Sequence, residues 1–151
     1  MERKSLYHRD VYHDILARIE KLTAESTPQW GKMDSGKMIA HCADIFDVSN
    51  GKPLANTPFF ARLFKGMIRK MVVGEKPYPK NSKTHPQYIQ TSAKDFGTEK
   101  QRLLKALERW KGMEGEQTEH ALFGVLTREE KGWSAYKHLD HHLSQFGVSA
   151  N

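Results

Sequence analysis

The stretch TREEKGWSAYKHLDHHLSQFG, residues 127–147, decides the fold class because its apolar residues recur at helical intervals. Thr127 and Glu130 have the spacing of a capping box, which predicts that a helix begins here. The apolar positions lie three or four residues apart and define one buried stripe. They are Trp133, Tyr136, Leu139, Leu143 and Phe146. Gly147 is typical of the residue that ends a helix, so the whole stretch is predicted to be one amphipathic helix.

Three earlier segments show the same helical spacing and predict an all-α protein. The first spans residues 5–23. The second runs from an N-cap at Asp34 or Ser35 to about Asn50, and the third covers residues 95–112. Four helices of about 15 to 20 residues are what a small four-helix bundle uses. The nearest approach to a strand pattern, LFGVL, is short, and no sheet is expected.

A long connection, residues 51–94, separates the second and third helices. It is too long for a tight turn, so a crossover is expected, with the helices in an up-down-down-up order. Within it, PFFARLFKGMIRKMVV (residues 58–73) places apolar pairs four residues apart. This pattern predicts an extra amphipathic helix with arginines and lysines on its outer side. We expect it to pack against its own bundle or against a second copy, which makes a homodimer plausible.

The bulk composition indicates a single globular domain over residues 1–151. Hydrophobic residues make up 38% of the chain and charged residues 28%, which excludes full disorder. No apolar run approaches the roughly 20 residues that a membrane-spanning helix needs. The N-terminal residues lack the apolar core of an export signal. The single cysteine, Cys42, fits a reducing compartment, so a cytoplasmic location is expected.

The net charge of +6 is concentrated in residues 58–83, which carry seven basic residues and one acid, Glu75. The basic residues are Arg62, Lys65, Arg69, Lys70, Lys76, Lys80 and Lys83. Such a segment could attract nucleic acid, an anionic membrane surface or an anionic small molecule. It lacks the aromatic and glycine motifs of common RNA-binding modules. We therefore expect a solvated basic surface and no specific nucleic-acid partner.

Three histidines in the last helix are the strongest chemical signal. His138 and His142 are four residues apart and share a face that borders the buried stripe. His141 is rotated from His142 by about 100° and points elsewhere. In the second helix, His41 also lies on the inward-facing side. The four-residue spacing alone would also suit a partly buried polar patch, but three inward histidines on two helices favour a shared site.

Burying three imidazoles without partners would cost about 1–3 kcal/mol for each unsatisfied nitrogen. A divalent cation removes this cost, because neutral imidazole binds Zn, Ni, Cu or Fe. We therefore predict that His41, His138 and His142 are metal ligands, with zinc or nickel favoured. Asp44 and Gln145 are candidates to orient the imidazoles or a bound molecule. Asp44 would alternatively be a surface acid.

The segments GKMIAHCAD (residues 36–44) and YKHLDHHLSQFG (residues 136–147) resemble the DinB/YfiT-like superfamily of metalloproteins, in particular a bacterial branch without an assigned function. The resemblance covers the second to fourth predicted helices. It implies a four-helix bundle with one ligand from helix two and an H-x-x-x-H pair from helix four. Matched by motif position, these ligands are His41, His138 and His142, and a fourth protein ligand has no match.

Three nitrogen ligands leave coordination positions open, as in catalytic metal sites. The resemblance implies two chemistries, the transfer of a small thiol to an electrophile and hydrolysis by an activated water. The alternative is a non-catalytic, stress-related metal-binding module. The sequence identifies neither the small-molecule substrate nor a general base beyond Asp44.

Overall fold

The structure, a computed structural model, describes residues 1–150 and is mostly helical. The α-helices are α1 (Arg9–Glu20), α2 (Ser35–Ser49), α3 (Phe59–Leu63), α4 (Lys65–Val73), α5 (Phe96–Gly112) and α6 (Arg128–Gln145). A short 3-10 helix (Pro86–Tyr88) precedes α5, and two strands, β1 (Glu119–His120) and β2 (Gly124–Val125), precede α6. The expectation of a mainly helical chain is confirmed. In the part of the chain described, no helix is both long and apolar enough to cross a membrane.

One cluster of buried apolar side chains joins α1, α2, α5 and α6. Ile15, Phe46, Leu107 and Leu139 represent the four helices in it, each at most 2% exposed. Burying a side chain of this size stabilises the fold by about 1.5–3 kcal/mol. α2 packs most extensively against α5, while α6 contacts both α1 and α4. The cluster therefore places α2 and α6, the helices with the predicted ligands, around a common centre.

The predicted N-terminal caps of the long helices are present. The Asp34 carboxylate accepts a hydrogen bond from the Lys37 backbone N–H at 2.8 Å, so α2 begins at Ser35. At the start of α6, Thr127 and Glu130 form the predicted capping box. Each cap satisfies backbone donors that the first helical turn leaves free. These caps fix where each helix starts.

Helix α1 is shorter than the predicted span of residues 5–23. The chain before Arg9 forms a turn instead, in which the Leu6 N–H donates to the Gly132 carbonyl at 3.0 Å. A Cβ added at Gly132 would clash with the Ser5 hydroxyl oxygen, so the turn fits closely against α6. Leu6 is fully buried from this position. Packing of the turn against α6 thus replaces the expected first helical turns.

The two strands correct the expectation that no sheet forms. They pair antiparallel, with Glu119 opposite Val125 and His120 opposite Gly124. Gly124 has φ of +68°, a left-handed conformation that glycine adopts without steric cost. The pairing involves only two residues on each side, too few to produce a recognisable alternation of apolar and polar residues.

The amphipathic segment in the crossover also differs from its prediction. It forms two helices, α3 and α4, which meet at Phe64 and which we call the α3–α4 segment. Ala61 is buried and Ile68 is half-buried, so one face does pack inward. The outer face, however, carries exposed apolar side chains beside the basic ones, and Phe59 is 79% exposed. The expected basic residues do lie on the outside, and the exposed apolar side chains among them were not predicted.

Candidate metal centre

Three imidazoles from two helices meet in the interior. His41 comes from α2, and His138 and His142 lie one turn apart on α6. One nitrogen from each ring lies within 4.8 Å of the other two. His41 Nε2 and His138 Nε2 are 3.3 Å apart. The structure therefore brings together the three histidines that the sequence selected.

The His41 ring is oriented by the backbone of the crossover. Its Nδ1 lies 3.0 Å from the carbonyl oxygen of Tyr88, which accepts a hydrogen bond only if Nδ1 carries the proton. This tautomer leaves the lone pair on Nε2, the nitrogen that faces His138. Tyr88 ends the 3-10 helix and is itself buried. The long crossover thus supplies the group that sets the orientation of one histidine.

The His142 ring is oriented by the end of its own helix. Its Nδ1 donates to the Gln145 side-chain oxygen at 2.9 Å. The Gln145 amide nitrogen in turn donates to the Trp30 carbonyl at 2.9 Å, which fixes which end of the amide faces the imidazole. Nε2 of His142 is left with its lone pair. Gln145 therefore orients a histidine of the group.

The third imidazole, His138, lacks a hydrogen-bond partner at one of its ring nitrogens. Its Nε2 faces His41, and its Nδ1 is enclosed without a hydrogen-bond partner among residues 1–150. If His138 Nε2 carried its proton, it could donate a hydrogen bond to His41 Nε2. The lone pair of His142 Nε2 would then still have no donor. A buried polar atom without a partner costs free energy. A cation bound by the Nε2 lone pairs of all three rings would satisfy these nitrogens better than one proton, while the Nδ1 N–H of His138 would stay without a partner among residues 1–150.

The pKa values of all three imidazoles are lowered, mainly because burial disfavours the charged form. Burial and the facing His41 lower the pKa of His142 to about 3. The pKa of His138 falls well below its ordinary value for the same reason, with additional repulsion from neighbouring histidines. Burial also lowers the pKa of His41. The three rings are consequently neutral at pH 7, the form that binds a metal.

The spacing of one pair of nitrogens also fits a shared small ion. Two nitrogens bound at about 2.0–2.1 Å to a tetrahedral ion lie about 3.3–3.4 Å apart. The 3.3 Å between His41 Nε2 and His138 Nε2 agrees with this value. With neutral rings and two fixed tautomers, the residues present fit a three-nitrogen metal site.

Asp44 makes no hydrogen bond to the imidazoles. Its carboxylate accepts from the Gln90 side-chain amide at 2.6 Å and pairs with Arg102 at 2.8 Å. Gln90 also donates to the Tyr88 carbonyl, the acceptor for His41. Asp44 therefore reaches His41 only through Gln90 and Tyr88. It is neither a free surface acid nor a contact of the imidazole.

The acid between the two α6 ligands is engaged as well. Asp140 pairs with the buried Arg18 at 2.9 Å, and that arginine also donates to the Val148 carbonyl.

His141 lies at the edge of the group, with its ring against Trp30 and Tyr78. It is half-buried.

A cavity of about 1110 Å³ adjoins the three histidines. Its walls are largely apolar and include residues of the α3–α4 segment, such as Phe60 and Met71. His85 and His120 also line it. Burial, and then the charge of His85, lower the pKa of His120 to about 4. A cavity of this size can hold a small organic molecule next to the imidazoles.

Sequence reasoning missed the groups that act through their backbone. The carbonyls of Tyr88 and Trp30 receive hydrogen bonds from His41 and Gln145. Every residue carries the same backbone carbonyl, whatever its side chain. No residue type therefore marks such a position in the sequence. Gln90 was missed for another reason. It lies in an irregular stretch where no periodicity shows which way a side chain points.

Comparison with known proteins yields one family. A family model described as a protein of unknown function (DUF1569) matches residues 1–148. No curated protein and no solved structure matches the chain. The family match covers both helices that carry the histidines, but its description gives no activity.

Proposed function

This chain belongs to the family of proteins of unknown function DUF1569, and from that premise we propose that it is a metal-dependent enzyme with His41, His138 and His142 as the ligands of one divalent ion. The convergence of the three neutral imidazoles beside a large apolar cavity carries this proposal. Zinc and nickel are the favoured ions, because both bind neutral imidazole well.

The proposed architecture is a single domain over residues 1–151 with a DinB-like four-helix arrangement. In it, α1, α2, α5 and α6 form the bundle in an up-down-down-up order. The shared apolar cluster and the long crossover between α2 and α5 support this arrangement. The similarity of the two histidine motifs to the DinB/YfiT-like superfamily supports it independently.

The protein residues have separable tasks in this proposal. The imidazoles hold the ion, and the Tyr88 carbonyl and Gln145 side chain keep two of the rings in the tautomer that binds. The apolar cavity walls exclude water from a bound substrate. When bound, the ion would lower the pKa of a thiol or water molecule held in an open coordination position.

Thiol transfer is favoured over hydrolysis as the reaction. Hydrolysis by metal centres is commonly assisted by a carboxylate base, but Asp44 and Asp140, the acids closest in sequence to the ligands, are held by Arg102 and Arg18. A thiol loses its proton to solvent more readily and needs no such base. In the transfer, the thiol gives its proton to solvent and a sulfur–carbon bond forms. The bond from that carbon to a halide, or to the oxygen of an epoxide, breaks and its electron pair goes to the halide, which departs, or to the oxygen, which takes up a proton.

The first test is elemental analysis of protein purified without a histidine tag. We expect about one zinc or nickel ion per chain in the wild type and in the His141→Ala control, and none in His138→Ala. A wild-type protein that binds no added zinc or nickel, and whose thermal stability these ions do not change, would contradict the metal centre.

The second test addresses catalysis. Wild-type protein loaded with metal is incubated with a low-molecular-weight thiol and an alkyl halide or epoxide, and thioether formation is followed by mass spectrometry. We expect turnover that His138→Ala abolishes and His141→Ala retains. Full metal loading without turnover on thiol or ester substrates would instead identify a non-catalytic metal-binding module.

A further inference from the structure

Exposed apolar side chains concentrate on one short segment of the surface. Nine large apolar residues are substantially exposed within residues 1–150, and six of them lie in or between α3 and α4. These six are Phe59, Phe60, Leu63, Phe64, Met67 and Met71. Phe59, Leu63 and Met67 are 79%, 65% and 67% exposed, and their four-residue spacing puts them on one side of the segment. A concentration of this kind typically marks a binding surface.

The segment is firmly attached to the rest of the protein through other groups. Its inner side contributes Ala61 and Ile68 to the cavity wall. The buried Lys137 ammonium donates to the Met71 carbonyl at 2.6 Å and to the Gly74 carbonyl at 2.9 Å, which holds the end of α4 on α6. The exposed apolar side is therefore a second face of an anchored element, and the protein core does not require it.

The α3–α4 segment and the chain that follows it, up to Lys83, are strongly basic. Their acid, Glu75, pairs with Arg3 at 3.1 Å, and Arg69 pairs with Glu130 at 2.8 Å. The remaining basic side chains are exposed and form no ion pair with any residue in the range 1–150. They are Arg62, Lys65, Lys70, Lys76, Lys80 and Lys83. Three of them, Arg62, Lys65 and Lys70, lie in α3 and α4 themselves, so unpaired positive charge accompanies the apolar face.

We propose that the α3–α4 segment docks the protein on an anionic lipid surface, with Phe59, Leu63 and Met67 inserted at the headgroup level. Amphipathic helices that lie in a membrane interface combine an apolar face of this kind with flanking lysines and arginines. The long basic side chains extend from the apolar face to the lipid phosphates. Attraction to the negative surface adds to the burial of the apolar side chains.

Charge favours lipid over a second copy of the chain as the occupant. In a symmetric contact through this face, Arg62, Lys65 and Lys70 of each copy would approach the same residues of the other. Like charges brought together at an interface are unfavourable. A bilayer rich in anionic lipid buries the same side chains and neutralises the charges. The inference does not depend on the metal centre.

The test is co-sedimentation of the full chain with vesicles of phosphatidylcholine, with and without phosphatidylglycerol. We expect binding to the anionic vesicles, and binding to pure phosphatidylcholine at least about tenfold weaker. The triple variant Phe59→Ser, Leu63→Ser, Met67→Ser should lose binding at least about tenfold. Its residues are exposed, so circular dichroism and thermal unfolding should match the wild type.

A charge control separates docking from general attraction. One triple variant, Arg62→Glu, Lys65→Glu, Lys70→Glu, should lose vesicle binding. A second triple variant changes the net charge by the same amount at other exposed positions and should retain most of the binding. It carries Lys21→Glu, Lys105→Glu, Arg109→Glu. Equal losses in the two charge variants, or vesicle binding unaffected by the apolar triple variant, would overturn the proposal. So would a wild-type dimer that ignores vesicles and dissociates in the apolar variant.

Discussion

His41 Nε2 lies 3.3 Å from His138 Nε2, although 97 positions separate the two residues in the chain. The two rings come from different helices, α2 and α6, so the packing of these helices brings the nitrogens together. The Tyr88 carbonyl places the His41 proton on Nδ1, so the His41 nitrogen that faces His138 carries a lone pair. This contact between the neutral rings of the buried His41 and the half-buried His138 is the feature on which the proposed metal centre rests.

Removal of one ligand should greatly weaken metal binding at the centre. His142→Ala leaves two imidazoles, too few to hold a divalent ion tightly. Isothermal titration with zinc should give a single tight site in the wild type and at least about a hundredfold weaker binding in the variant. The neighbouring His141→Ala should bind zinc as the wild type does. Comparable losses in both variants would show that the three-histidine assignment is incorrect.

Removal of the Gln145 side chain should weaken the site without destroying it. In Gln145→Ala the Nδ1 proton of His142 loses its acceptor, so the ring is no longer held in the tautomer that binds. Loss of such a supporting hydrogen bond typically weakens metal affinity about 10- to 100-fold. Competition with a chelator measures this change. Gln101→Ala, at an exposed position of α5, is the matched control and should show no change.

Neutralisation of Asp44 should affect the metal little, because its carboxylate contacts Gln90 and Arg102 and reaches His41 only indirectly. We expect Asp44→Asn to change zinc affinity less than about threefold. Arg102 is 34% exposed on its side chain, so loss of this ion pair should lower the free energy of unfolding by about 0.2–1 kcal/mol. Chemical denaturation and zinc titration measure the two effects separately. A loss of affinity as large as that of Gln145→Ala would instead make Asp44 a direct determinant of the site.

The metal-free protein should lose stability as the pH falls below about 6.5, where imidazoles of the unfolded chain begin to bind protons. The folded chain resists this protonation, since burial lowers the pKa of His142 to about 3. Protons therefore bind the unfolded chain preferentially between these two pH values and shift the equilibrium towards it. At pH 5.5, His142 alone should lower the free energy of unfolding by about 1.4 kcal/mol relative to pH 7.5.

Urea denaturation over this pH range checks that expectation. His142→Gln should show a shallower pH dependence, because one group with a lowered pKa is gone. His13→Gln, at an exposed position of α1, should follow the wild type. A stability independent of pH between 7.5 and 5.5 in the metal-free wild type would contradict the neutral, buried state of the ring.

Much of the helical architecture could be predicted because its signals are local. The capping box of Thr127 and Glu130 and the N-cap at Asp34 identify helix starts within a few residues. Helix α1 was overestimated because the turn at residues 5–8 forms against Gly132, a contact across the whole chain. Periodicity describes which residues could form a helix, but packing decides how many of them do.

The sequence by itself located the four long helices approximately and selected His41, His138 and His142 as inward-facing residues. It could do so because helical spacing assigns each residue to one face of its helix. Only the tertiary structure decided how the rings are held and what surrounds them. The Tyr88 carbonyl lies 47 positions from His41, and the Asp44 carboxylate turns to Arg102 and Gln90. It also decided that one apolar face of the α3–α4 segment points outward. Such outcomes depend on contacts between distant elements, and the spacing of residues along one helix carries no information about which neighbour each face will meet.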